Sequence, residues 1–96
     1  MSSSIENINK LIKSKLIGGY ESNIDWILTD SRSVCFPEET LFFALKTKRN
    51  DGHKYIDELF EKGVRNFVVS TLPEKKDNYP NCNFLLVNDT LKALQL

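Results

Sequence analysis

A chain of 96 residues with 13 basic and 13 acidic side chains is one small domain of balanced charge, which excludes a general nucleic-acid or membrane-surface binder, since those need a surplus of cations on one face. A domain of this size buries only about two-thirds of its unfolded surface, so its core works with little margin. Cys35 and Cys82 are far apart, with no CxxC motif and only His53 as a further soft ligand, which suggests neither a disulfide framework nor a zinc site; with no apolar run of about 20 residues and no apolar core of signal-peptide length, the expectation is a cytoplasmic protein with reduced thiols.

Ser3-Ser4-Ile5-Glu6 has the Ser/Glu spacing of a capping box, taken as Ser3 to Glu6, ahead of Ile5, Ile8, Leu11 and Ile12. This predicts an amphipathic helix near residues 4–14, stopped by Gly18-Gly19, with Glu6, Asn7, Lys10 and Lys13 on its solvated face. Ile24, Trp26 and Leu28 alternate with Asp25 and Ile27, a strand near 24–29 in which Trp26 is assigned to the core. Asp30-Ser31-Arg32-Ser33 then turns the chain, and two readings stay open. Asp and Ser bond their own backbone in turns; equally, the Thr29 and Ser31 hydroxyls, two apart at a strand end, and the planar fork of Arg32 suit a carboxylate or phosphate.

Leu41-Phe42-Phe43-Ala44-Leu45 is an unbroken apolar run, as expected of a strand covered on both faces. A helix near 53–62 follows, with Ile56, Leu59 and Phe60 on one face, Glu58 four residues before Lys62, and Gly63 at its end. Phe67-Val68-Val69 marks a buried strand near 66–70, so strand, helix and strand form a parallel βαβ unit. After the polar loop at 73–80, Phe84 to Val87 read as a strand near 84–88, and Asn88 or Asp89 caps a last helix. The expected fold class is α/β: a small single domain with a mainly parallel central sheet flanked by helices.

The loop inside the βαβ unit, Lys46-Thr47-Lys48-Arg49-Asn50-Asp51-Gly52, lies at the carboxyl end of a parallel strand, where open α/β sheets bind ligands. Lys46, Lys48 and Arg49 put three cations into four residues, which a solvated charged loop and an anion site both explain. Asp51 reads as the start of the helix and His53 as helix-terminal structure. The sequence contains no GxxxxGK[ST] phosphate loop, Ser/His/Asp set, paired-carboxylate site or metal-ligand cluster, so no catalytic residue, metal ligand or cofactor is assigned within it.

Thr29-Asp30-Ser31-Arg32, Leu41-Phe42-Phe43-Ala44-Leu45-Lys46 and Asp51-Gly52-His53, in that order and at that spacing, resemble the amino-terminal domain of the Mur ligases, which add amino acids to the UDP-N-acetylmuramoyl precursor of peptidoglycan. The resemblance runs from about residue 20 to residue 94 and is nearest to the MurF type, the D-alanyl-D-alanine-adding branch of Bacteroides-like bacteria, where an alanine racemase can be fused to it. It implies that the residues at the Thr29 and Ser31 positions contact the uridine end of the substrate and that Lys48-Arg49-Asn50 bind the UDP-muramoyl moiety. The substrate-binding set is then Thr29, Ser31, Arg32, Lys46, Thr47, Lys48, Arg49 and Asn50. The sequence departs from the family at Pro37-Glu38-Glu39-Thr40, which replaces a short Pro-Gly-Asp turn, and at Thr47, where glycine is frequent.

On this resemblance, residues 1–96 are the UDP-muramoyl-peptide-binding domain of a longer cytoplasmic ligase of cell-wall biogenesis, serving cell shape and division. They would tether substrate without catalysing, next to a central domain of the same chain that carries ATP and Mg2+, with no nucleic-acid or membrane partner. The alternatives are the same domain of a diaminopimelate- or lysine-adding ligase, a nucleotide- or phosphate-binding module, and a protein-interaction domain.

Overall fold

A computed structural model describes residues 3–48, 51–74 and 78–95. Its centre is a five-stranded sheet of β2 (Lys15–Ile17), β4 (Trp26–Leu28), β5 (Thr40–Phe43), β6 (Asn66–Val69) and β7 (Asn83–Leu86), in the order β2-β7-β6-β5-β4. The four strands β7, β6, β5 and β4 run parallel, and β2 lies antiparallel to β7 at one edge. The α/β class with a mainly parallel sheet is therefore as the apolar runs predict.

Alternation along the central strands sends side chains into two cores, one on each face of the sheet. Phe42, Phe67, Val69 and Phe84 pack with Ile56 and Leu59 of α2 (Ile56–Glu61) on one face. Leu41, Phe43, Val68 and Leu85 pack on the other face with Ile5 and Ile12 of α1 (Ile5–Ile12) and Ala93 of α3 (Thr90–Leu94). Asp89 caps α3 by accepting from the Lys92 amide at 3.2 Å. The Glu58–Lys62 pair forms at 3.7 Å on the outer side of α2.

Four local expectations are corrected. The cap of α1 is Ser4, whose hydroxyl accepts from the Asn7 amide at 3.2 Å. Ser3 and Ser4 form a short strand, β1, paired antiparallel with β3 (Asn23–Ile24), so Ser3 is held one position too early to cap. The helix stops at Lys13, left-handed at φ 55°, and Gly18-Gly19 ends β2 instead. Trp26 is 52% exposed and stacks on Phe36 at 5.7 Å rather than entering the core, because β4 is an edge strand with little cover. The single strand expected near 24–29 is divided at Asp25, whose amide bonds the Glu39 carbonyl at 2.9 Å.

At the amino ends of β6 and β7 the interior turns polar. Asn66 and Asn83 are adjacent in the ladder and fully buried. Asn83 Nδ2 donates to Asn66 Oδ1 at 2.9 Å and to the Tyr20 carbonyl at 2.8 Å, and Asn83 Oδ1 accepts from the Tyr20 amide at 2.8 Å. Asn66 Nδ2 donates to Ser22 Oγ at 2.9 Å. The pair thus clamps the loop after β2 to the sheet with every amide N–H of Asn83 used.

Candidate functional site

β4 and β5 are parallel neighbours, so the segments that follow them, from Thr29 and from Lys46, emerge on the same carboxyl edge of the sheet, the edge open α/β folds use for ligands. Thr29, Asp30, Ser31 and Arg32 line one hollow there together with Tyr55 and Glu58. The turn is built by Asp30, whose Oδ1 accepts from the Arg32 amide at 2.9 Å and begins a short 3-10 turn over Ser31–Ser33. The same carboxylate accepts from Arg32 Nε at 3.2 Å and Nη2 at 3.1 Å. The fork of Arg32 is therefore engaged by its own neighbour, which holds the Asp30 carboxyl below the usual carboxylate range and raises the guanidinium further. Any anion reaching Arg32 shares it with Asp30.

Ser31 is buried, so it forms part of the floor of the hollow. Lys62 Nζ donates to the Ser31 carbonyl at 3.2 Å, and the same ammonium pairs with Glu58. The outer face of α2 thereby pins the turn that carries Ser31.

Lys46 lies in a neighbouring hollow with Asp51, His53, Lys54, Asp57, Thr71 and Tyr79. The loop it opens is closed at its base by the Lys46–Asp51 bridge and by the Gly52 amide bonded to the Leu45 carbonyl at 2.7 Å. Thr47 and Lys48 are exposed on it. Arg49 and Asn50 lie outside the described residues. Of the eight residues expected to bind substrate, the structure gathers Thr29, Ser31 and Arg32 in one hollow and sets Lys46 in the next, with the segment Lys54–Asp57 contributing to both.

His53 is a structural latch, as its helix-terminal reading expects. Asp51 Oδ1 accepts from the His53 amide at 3.0 Å and from ring Nδ1 at 2.5 Å, while Nε2 accepts from the Ser70 amide at 3.0 Å. The Asp51 carboxyl is held below its ordinary range, chiefly by the His53 amide. Asp51, His53 and Ser70 stand in the order of a nucleophilic triad, but the Nε2 lone pair is taken by a backbone N–H and Ser70 Oγ is 3.5 Å away. No activated serine results. His53→Phe leaves the Ser70 amide without its acceptor, and we expect unfolding in denaturant to show a loss of about 1–3 kcal/mol; a change within about 0.5 kcal/mol would remove the latch.

A hollow larger than that of Thr29–Arg32 is at the opposite, amino edge, among Glu6, Glu21, Asp25, Glu38 and Glu39. Its carboxylates repel a diphosphate, so size does not mark the anion site. Tyr55 and Glu58 are the members of the carboxyl-edge hollow that sequence reasoning missed. Tyr55 ends a 3-10 turn over Gly52–Tyr55, and that turn, absent from any helical periodicity, decides which way the residue faces.

No family model matches the chain. Among curated proteins, it is 34% identical over 89 residues to the UDP-N-acetylmuramoyl-L-alanyl-D-glutamate--2,6-diaminopimelate ligase of Clostridium tetani, covering 93% of this chain and 18% of that protein. It is also 34% identical over 94 residues to the UDP-N-acetylmuramoyl-tripeptide--D-alanyl-D-alanine ligase of Bacillus subtilis, covering 95% and 20%. Among solved structures, the UDP-N-acetylmuramoylalanyl-D-glutamyl-2,6-diaminopimelate--D-alanyl-D-alanyl ligase of Acinetobacter baumannii superposes with a TM-score of 0.82 at 23% identity, over 98% of this chain and 20% of that one. The chain thus spans about a fifth of the length of these relatives.

Proposed function

The chain belongs to the Mur ligase family and has the fold of that family's amino-terminal domain, and from this we propose that it holds the uridine-diphosphate end of a UDP-N-acetylmuramoyl peptide for an ATP-dependent ligase. The observation that carries the reading is the shared carboxyl edge: the Thr29–Arg32 turn and the Lys46 loop leave adjacent parallel strands in a chain whose relatives are named for UDP-N-acetylmuramoyl substrates. We assign the added group as D-alanyl-D-alanine, which the motif wording and the identity to the Bacillus subtilis ligase support. The diaminopimelate-adding branch is the second reading, supported by the equal identity to the Clostridium tetani ligase.

ATP and Mg2+ would belong to the remainder of such a ligase. The residues here do not fit them: the sequence has no phosphate loop, and among the described residues no group of three or more His, Cys, Asp or Glu could hold a metal. The contribution of this domain is binding energy remote from the reacting carboxylate, which positions that group for reaction elsewhere. Among the described residues, no helix is long and apolar enough to cross a membrane.

Titration of the chain with UDP, by calorimetry or NMR, tests the reading. Charge-assisted hydrogen bonds contribute about 1.5–3 kcal/mol each, so Arg49→Ala is expected to weaken binding about tenfold or more and Ser31→Ala somewhat less, with affinity falling as salt is added. Equal affinity in wild type and both variants, or no binding by the wild type at millimolar UDP, overturns it.

A further inference from the structure

We propose that Tyr55 is the base-recognising residue of the carboxyl-edge hollow, taking the pyrimidine ring of a uridine nucleotide on its aromatic face. The inference rests on the reading of that hollow as the seat of the uridine end, and adds to it a residue that neither the motifs nor the relatives' names assign.

Tyr55 is placed and held for this. It lines the hollow beside Thr29, Ser31 and Arg32, and its inner side packs against the Phe42–Ile56–Phe67 core, so the ring is fixed by the fold rather than ordered by a ligand. Pre-fixed rings bind without the entropy cost of immobilising a side chain. One face is open enough for the Lys54 ammonium to sit 5.1 Å from the ring centroid. Lys54 is exposed and on a flexible stem, and an exposed cation over a ring is a weaker contact than a base stacked on it. The ammonium belongs to the neighbouring hollow of Lys46, so a base entering beside Thr29 and Ser31 competes with it for the ring.

The polar groups around the ring match a pyrimidine edge. Uracil presents two carbonyl acceptors and one ring N–H donor. The Thr29 and Ser31 hydroxyls and the Arg32 guanidinium supply donors, and the Glu58 carboxylate supplies an acceptor, all within the same hollow. A site with donors and an acceptor around one aromatic face favours a base whose edge offers both.

The test compares UDP with inorganic pyrophosphate on the 96-residue chain, in wild type, Tyr55→Leu and Tyr55→Phe. The expected result is that Tyr55→Leu loses about tenfold or more in affinity for UDP while pyrophosphate binding is unchanged, and that Tyr55→Phe stays within about twofold of wild type for both. The uridine ring protons should shift upfield on binding wild type and Tyr55→Phe, and not on binding Tyr55→Leu. Equal UDP affinity in wild type and Tyr55→Leu overturns the inference and leaves the uridine seat standing. A parallel loss of UDP and pyrophosphate also overturns it, since Tyr55 would then be scaffold. Wild type that binds pyrophosphate but not UDP overturns the seat itself. If Tyr55→Leu does not fold, the upfield shift in wild type and Tyr55→Phe decides: its absence overturns the stacking.

Discussion

Asn83→Ala is expected to destabilise the domain by about 2–4 kcal/mol, the sum of lost bonds and of partners left behind in the interior. Asn83 is 1% exposed and uses both amide protons and its carbonyl oxygen, on the Tyr20 backbone and on Asn66 Oδ1. Alanine removes three hydrogen bonds and leaves Asn66 Oδ1 buried without its donor. Tyr20 is exposed whereas Asn66 is fully buried, so Asn66 carries the larger part of the cost. For a domain of this size each kcal/mol lowers the melting temperature by about 4–8 °C, so a fall of more than about 10 °C should be seen by calorimetry. Asn83→Asp should be at least as damaging, because a carboxylate accepts from the Tyr20 amide but donates to neither the Tyr20 carbonyl nor Asn66, and it buries a charge. The clamp lies at the amino edge of the sheet, opposite the Thr29–Arg32 turn, so UDP affinity of the folded fraction should not change. A loss under about 1 kcal/mol for Asn83→Ala would mean the clamp does not hold the loop.

The parts of the fold that were legible in the sequence are those whose environment is uniform. β5 and β6 are buried on both faces, so Leu41–Ala44 and Phe67–Val69 read as continuous apolar runs, and α2 shows its buried Ile56 and Leu59 at helical spacing. Elements fixed by distant partners were not legible. β2 is three residues long with no fully buried side chain, and it is a strand because β7 pairs with it, Ile17 against Phe84. Trp26 carries the largest apolar side chain of its strand, but the sheet ends there and the ring stacks on Phe36 at the surface.

The site divides the same way. That the Lys46 loop opens on the carboxyl edge follows from the βαβ pattern, while the Thr29 turn joins it there through the parallel pairing of β4 with β5. Contacts within the turns do not follow from residue type alone. The guanidinium of Arg32 reads as a free anion fork, yet the carboxylate two residues back engages its Nε and Nη2 because the 3-10 turn folds Arg32 onto Asp30. The partner of His53, Ser70 just after β6, is 17 residues away and becomes adjacent through the β5–β6 pairing. The buried Asn66–Asn83 pair gave no signal, since asparagine at a strand start reads as a turn residue.

Gly18→Ala is expected to cost about 3 kcal/mol or more, against about 1 kcal/mol for Gly19→Ala one residue on. Both glycines lie in the left-handed half of backbone space, at φ +113° and φ +69°. Gly19 is near the left-handed helical basin, which other L residues enter at about 1–2 kcal/mol, and a Cβ there meets nothing within 4 Å. Gly18 differs on both counts: its φ is outside that basin, and an added Cβ would be 2.2 Å from the Cys82 backbone carbonyl oxygen. Neither atom is the end of a flexible chain. Relief requires moving either the end of β2 or the residue that leads into Asn83, and each move disturbs the β2–β7 pairing and the clamp on Tyr20 together. Strain of about 1–3 kcal/mol from the backbone angle is therefore joined by lost hydrogen bonds. The control is Gly19→Asn, since asparagine tolerates the left-handed basin and should restore most of the loss at that position. Equal costs at positions 18 and 19 in urea unfolding would show that conformational freedom alone, and not the close approach to Cys82, is what selects glycine after β2.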